Sequence, residues 1–173
     1  MHYQLPTTLI ILLSSTLTTS FPLLTPRQSI QDIADAQNAW RADTSMVSQF
    51  LSVAPSLTGT ALTSAASTAL DAENNELLHK MVLDATFLAT DTSVQDANDI
   101  LVTQHKFQDV VDGLTNLKEN GEGMTPADVK VEVGKINAGR CGSVLPAIDS
   151  YFRAAAGVLD NGGTLLATRP NNC

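Results

Sequence analysis

A chain of 173 residues is long enough for one hydrophobic core and short for two. Apolar residues make up 43% of it but aromatics only 5%, and a content dominated by Ala, Leu and Val favours close-packed helices over sheets. The formal charge is −8, and the cations stand singly (Arg41, Lys80, Lys106, Lys118, Lys130, Lys135, Arg140, Arg153), so no basic footprint exists for nucleic acid.

The chain opens on an apolar stretch, LPTTLIILLSSTL at 5–17, too short to span a bilayer and followed by small polar residues up to Ser20. Thr18 and Ser20 suit the third and first positions before a signal-peptidase cut at Phe21. The sequence therefore predicts a signal peptide over 1–20 and a secreted product, extracellular or associated with a cell wall. The positive charge of this signal comes from the α-amino group and His2, since no Lys or Arg precedes the stretch. Pro6 and the Ser/Thr density oppose the alternative of a buried N-terminal helix. Residues 21–27, FPLLTPR, read as a short propiece ending at Arg27, and 28–173 as a single helical domain.

Ile30, Ile33, Gln37 and Trp40 then fall at helical spacing, with Ser29 placed to cap them. Val47, Phe50 and Leu51 extend an apolar face to Pro55, either in one long helix or after a bend near Asp43 or Thr44. From Thr58 to Asp84 no proline intervenes, and Leu62, Ala66, Ala69, Leu70, Leu77 and Met81 form a drifting stripe. This is predicted to be the longest helix. The polar run at 89–93 ends it, with Ser93 as the next cap and Asp96 in the first turn. Val94, Ala97, Leu101, Val110, Val111, Leu114 and Leu117 carry a helix on to the turn NGEG at 120–123.

Thr125-Pro126-Ala127-Asp128 combines a cap, a first-turn proline and an acid, and Val129, Val133 and Ile136 follow at helical spacing. The alternation of Val129, Val131 and Val133 leaves a short strand as the alternative. A turn is expected at 139–143, then a final helix through Leu145, Ile148, Phe152, Ala155 and Leu159, stopped by Asp160-Asn161-Gly162-Gly163. The fold class is all-α, an antiparallel bundle of five to six helices. No later stretch is long and apolar enough for a transmembrane segment, and the terminal RPNNC is no lipid-anchor tail. Cys141 and Cys173 are expected to form one disulfide tying the C-terminus to the start of the last helix. No Asn-x-Ser/Thr sequon occurs; O-glycosylation of the Ser/Thr-rich parts is left open.

The segments DTSMVSQFLSVAPSL (43–57), LVTQHKFQDVVDGL (101–114) and GRCGSVLPAIDSYFRAA (139–155), with the terminal RPNNC, resemble small secreted proteins of filamentous fungi. That group brings no activity with it. In length, Ala/Thr/Ser-rich helices and signal peptide the chain is similar, more loosely, to the hydrophobic surface-binding and cell-wall mannoprotein family. This second resemblance implies a helical bundle that binds apolar surfaces or holds fatty-acid-like ligands.

Glu76-x-x-His79 is the sharpest local feature, because three-residue spacing puts both side chains on one helix face. A dimetal site needs a second such pair and two further carboxylates, and no spacing recruits His105, Asp109 or Glu73, so neither metal nor cofactor is expected. No Gly-x-Ser-x-Gly elbow occurs, both cysteines go to the disulfide, and no catalytic residue is assigned. The carboxylates of Asp71, Glu73, Glu76, Asp84, Asp96, Asp99, Asp109 and Asp112 are expected on solvated faces. Gly121, Gly123, Gly162 and Gly163 read as turn formers. Trp40, Phe50, Phe87, Phe107, Tyr151 and Phe152 are assigned to the core, with partial exposure of Trp40 beside Arg41 as the alternative.

Two readings of function follow. In the first, a non-enzymatic secreted protein binds a lipid-like ligand or a hydrophobic surface. In the second, an acidic interaction module meets a host or cell-wall protein. A contiguous cavity on the order of several hundred Å³ would favour the first, and an exposed patch with no cavity the second.

Overall fold

A computed structural model of the chain describes residues 28–160 and 165–173; the expected signal peptide (1–20), the propiece (21–27) and the stop signals Asn161, Gly162 and Gly163 lie outside the described residues. Helix α1 (Ile30–Val53) starts at a capping box: the Ser29 hydroxyl accepts the Asp32 N–H, and the Asp32 carboxylate accepts that of Ser29. It runs unbroken past Asp43, so the choice between one helix and two falls to one. Pro55, in the short 3₁₀ turn Ala54–Ser56, removes the donor that would continue it. Helix α2 (Gly59–Phe87) is the longest, at 29 residues, as its sequence predicts.

The next two elements correct the sequence reading. Asp91, not Ser93, caps α3 (Thr92–Asn98); its carboxylate accepts the N–H groups of Ser93 and Val94 and the Ser93 hydroxyl. The single helix expected from Val94 to Leu117 is broken. A π turn (Asp99–Thr103) continues α3, His105 takes a left-handed φ of 56°, and α4 (Lys106–Asn120) begins there. The reason lies in the apolar phase. A straight helix continuing 94–97–101 would turn Gln104 and Gln108 inward, whereas the break leaves both exposed and brings Phe107, Val110, Leu114 and Leu117 to the core.

Thr125 caps α5 (Pro126–Gly139) as predicted, and Asp128 bonds back to it to complete a second capping box. The turn expected at 139–143 is instead a π turn (Arg140–Val144) that leads straight into α6 (Leu145–Leu159). Residues 126–159 are thus one continuous rod, and the described residues make five such rods. About 85% of the described residues are helical and none lies in a strand, which removes the strand reading of Val129, Val131 and Val133.

The inward face of α2 reads Leu62, Ala66, Ala69, Glu73, Glu76, Lys80, Leu83 and Phe87, spaced alternately by four and three. Leu77 and Met81, expected inside, are 40% and 66% exposed because Glu73, Glu76 and Lys80 occupy that face. Around this face α1, α4 and α6 complete the bundle. Cys141, in the second π turn, is bonded to Cys173 as expected, with the Cα atoms 5.7 Å apart. The bond anchors a C-terminal strap, residues 165–173. Asp149 accepts the Ala167 N–H and pairs with Arg169, while Arg41 and Ser48 donate to the carbonyls of Leu166 and Thr168.

Two stability predictions follow from this packing. Replacing both cysteines by serine is expected to lower the unfolding free energy by about 3–4 kcal/mol in urea denaturation, the loop-closure value for this span. Gly113→Ala would gain roughly 1 kcal/mol of helix propensity. Its Cβ, however, would stand 2.4 Å from Ile136 Cγ1. A net loss of about 1–2 kcal/mol is expected by thermal or urea unfolding, since overpacking outweighs propensity.

Candidate functional site

Small residues on α2 open its surface towards α1. Ala65 and Ala69 face Met46, Phe50 and Val53 across a groove of about 460 Å³, with Gln49 and Thr68 as its polar members. Phe50 and Ala69 are buried, whereas Met46 and Val53 are 43% and 50% exposed. No charged side chain lines this groove. Such a surface removes an apolar chain from water and can offer a polar head only the Gln49 amide and the Thr68 hydroxyl. A smaller recess of about 210 Å³ lies by the first π turn, lined by Leu77, Leu101, Val102 and Phe107 with Lys80 and His105. A third, of about 450 Å³, is charged and lies between α4 and α5. Its Lys106 and Lys135 are paired to Asp109 and Glu132 on the same helices.

Further along the same two helices the bundle interior is ionic. Glu73, Glu76 and Arg140 are all fully buried, and Arg140 comes from the second π turn. Its guanidinium stands 3.7 Å from a carboxylate oxygen of each glutamate. It donates to the Ser48 hydroxyl at 2.7 Å and to the Thr44 carbonyl at 3.2 Å. The Trp40 indole N–H donates to Glu76 at 2.7 Å. Both oxygens of Glu73 and one of Glu76 have no hydrogen-bond partner among the described residues. Burial pushes the Glu73 carboxyl up to about 7 against the pull of Arg140. Glu76 is pushed well above the usual carboxylate range by burial first and by Glu73 second.

A second polar group borders the first. Lys80, 5% exposed, donates to Asp84 and Asn98 and lies 5.4 Å from the centre of the Tyr151 ring. The Tyr151 hydroxyl donates to Asp84, and burial with that partner raises it above its ordinary value. Tyr151 and Phe152 pack on Trp40, with ring centroids 5.2 and 5.7 Å away. Trp40 is fully buried, so the alternative of a partly exposed indole is overturned.

The structure separates the residues singled out for chemistry. Glu76 points into the core, while His79 bonds Asp43 at 3.1 Å. His105 starts α4, and Asp109 pairs with Lys106 at the surface. No group of three His, Cys, Asp or Glu side chains suited to a metal occurs among the described residues. The expectation that the carboxylates lie on solvated faces fails at Glu73 and Glu76, and Asp84 is half-buried; Asp71, Asp96, Asp99, Asp109 and Asp112 are exposed. Arg140, read from the sequence as one scattered cation, is the partner that sequence reasoning missed. The signal was present in α2, where the alternating three-and-four spacing passes through Glu73, Glu76 and Lys80.

Arg140→Met would leave two buried carboxylates facing each other without a cation. The expected loss is about 3–5 kcal/mol at pH 7. The loss should be smaller at pH 5, where protonated carboxyls need no counter-charge; unfolding curves at both pH values, read by Trp40 fluorescence, check this. Comparison of the chain with protein-family models, with curated proteins and with solved structures returned no match.

Proposed function

We propose that the protein is a secreted, non-enzymatic helical protein that holds a lipid-like molecule, with the apolar chain of that molecule lying in the groove between α1 and α2. The observation that carries this reading is the groove itself: about 460 Å³, apolar and uncharged. Small-molecule sites span roughly 300–1,000 Å³, so a single acyl-type chain is a fitting occupant. The turn at 54–58 between the two helices supports an antiparallel pairing of the groove walls. The Cys141–Cys173 bond is compatible with an oxidising, extracellular setting. No helix among the described residues is long and apolar enough to cross a membrane.

A second reading, an interaction module that meets a protein partner, has one observation in its favour. Leu78 and Met81, adjacent on the outer face of α2, are 61% and 66% exposed.

Native mass spectrometry after incubation with palmitate separates the two. The wild-type chain is expected to carry one palmitate, and Ala65→Trp, which fills the groove, to lower that occupancy at least about tenfold. Equal occupancy in both proteins would remove the groove from the reading. An absence of adducts with palmitate and with a neutral lipid alike would favour the protein-contact reading.

A further inference from the structure

The buried ionic cluster supports an inference that does not depend on any ligand. Two carboxylates, Glu73 and Glu76, share the bundle interior with one guanidinium, Arg140, and none of the three has measurable exposure. Arginine stays charged at any pH the fold survives, so with both glutamates ionised the cluster would hold a net negative charge away from water. A buried ion without a counter-charge is far costlier than a protonated carboxyl, and the pair resolves the imbalance by keeping a proton.

We propose that Glu73, Glu76 and Arg140 form a pH-sensitive latch, in which the retained proton lets α1, α2 and the second π turn close on one another and its loss drives them apart. Every element around the cluster is tied to it. From α1, Trp40 donates to Glu76, and Thr44 and Ser48 accept from Arg140. Asp43, also on α1, adds negative charge near Glu76, and its own carboxylate is engaged by His79 of α2. Lys80, one turn further along α2, is committed to Asp84 and Asn98. From α6, Tyr151 and Phe152 pack on Trp40. The Ser48 hydroxyl that accepts from Arg140 also donates to the Thr168 carbonyl, so opening the latch loosens the C-terminal strap.

The direction of the pH effect follows from proton counting. Carboxyls held above their unfolded value keep protons that the unfolded chain releases, so the stability contributed by these two groups is fully present in acid. It falls as pH rises from about 4.5 through about 7 for Glu73, and further for Glu76. The capping carboxylates Asp32, Asp91 and Asp128 are shifted down and act in the opposite sense, below this window.

The test is urea unfolding of the oxidised full chain and of Glu76→Gln at pH 5, 6, 7 and 8. The ratio of their folding equilibrium constants, wild type over variant, is expected to fall as pH rises, by up to about tenfold per pH unit, the limit for one proton. Parallel pH profiles would overturn the latch. A direct measurement on the wild type keeps the proposal falsifiable should the variant not fold. Carbon-13 NMR of labelled Glu carboxyls at pH 7 is expected to show at least one protonated resonance, whose titration moves Trp40 emission with it. Ionisation of every glutamate near the ordinary value of 4.5 would refute the proposal.

Discussion

Arg140 is fully buried between two carboxylates of α2, and its contacts with Thr44, Ser48, Glu73 and Glu76 tie α1 and α2 to the second π turn. An ordinary α-helical path from α5 to α6 would close each turn with an i to i−4 bond; the π turn at Arg140–Val144 inserts a residue's worth of slack at this point. The wider turn carries Arg140 and Cys141 in succession, one to the core and one to the disulfide. A single local irregularity thereby serves both the interior ion cluster and the covalent closure of the strap.

Buried ion groups are weak sources of net stability, because desolvation offsets most of their Coulomb attraction. The hydrogen bonds around this one fit a single register. Sliding α1 by one turn against α2 would strand Glu76 without the Trp40 indole and Arg140 without Ser48 and Thr44. Apolar contacts between helices rich in Ala and Leu tolerate such slides far better. The apolar groove is formed by the same two helices: Phe50 is on α1, and Ala69 lies one turn before Glu73 on α2. Its buried members are Phe50 and Ala69, and its rim residues Met46 and Val53 are exposed to solvent.

Helix existence was legible because it rests on local chemistry. The Ser29 and Thr125 caps, Pro55 and Pro126 state their roles within a few residues, and the structure places each as read, adding the reciprocal bonds to Asp32 and Asp128. The disulfide was legible too, since two cysteines in a chain expected to be secreted leave one intramolecular pairing. The break after Leu101 was readable in principle from the change of apolar phase between Leu101 and Phe107, but only when inward positions are counted rather than apolar residues. The same counting would have placed Glu73, Glu76 and Lys80 inside, where hydrophobicity alone turned α2 towards Leu77 and Met81.

Sequence by itself determined the helical class, the Ser29 and Thr125 caps and the longest helix, all matters of neighbours along the chain, and the one available cysteine pairing. Tertiary structure alone decided which cation those buried carboxylates face, because the energy of an ionised side chain depends on what lies across space from it. Arg140 is more than sixty residues from the glutamates it faces, and no spacing rule connects them. The groove is decided in the same way. Met46 and Ala69 are unremarkable residues on separate helices until packing sets them on either side of one apolar trough.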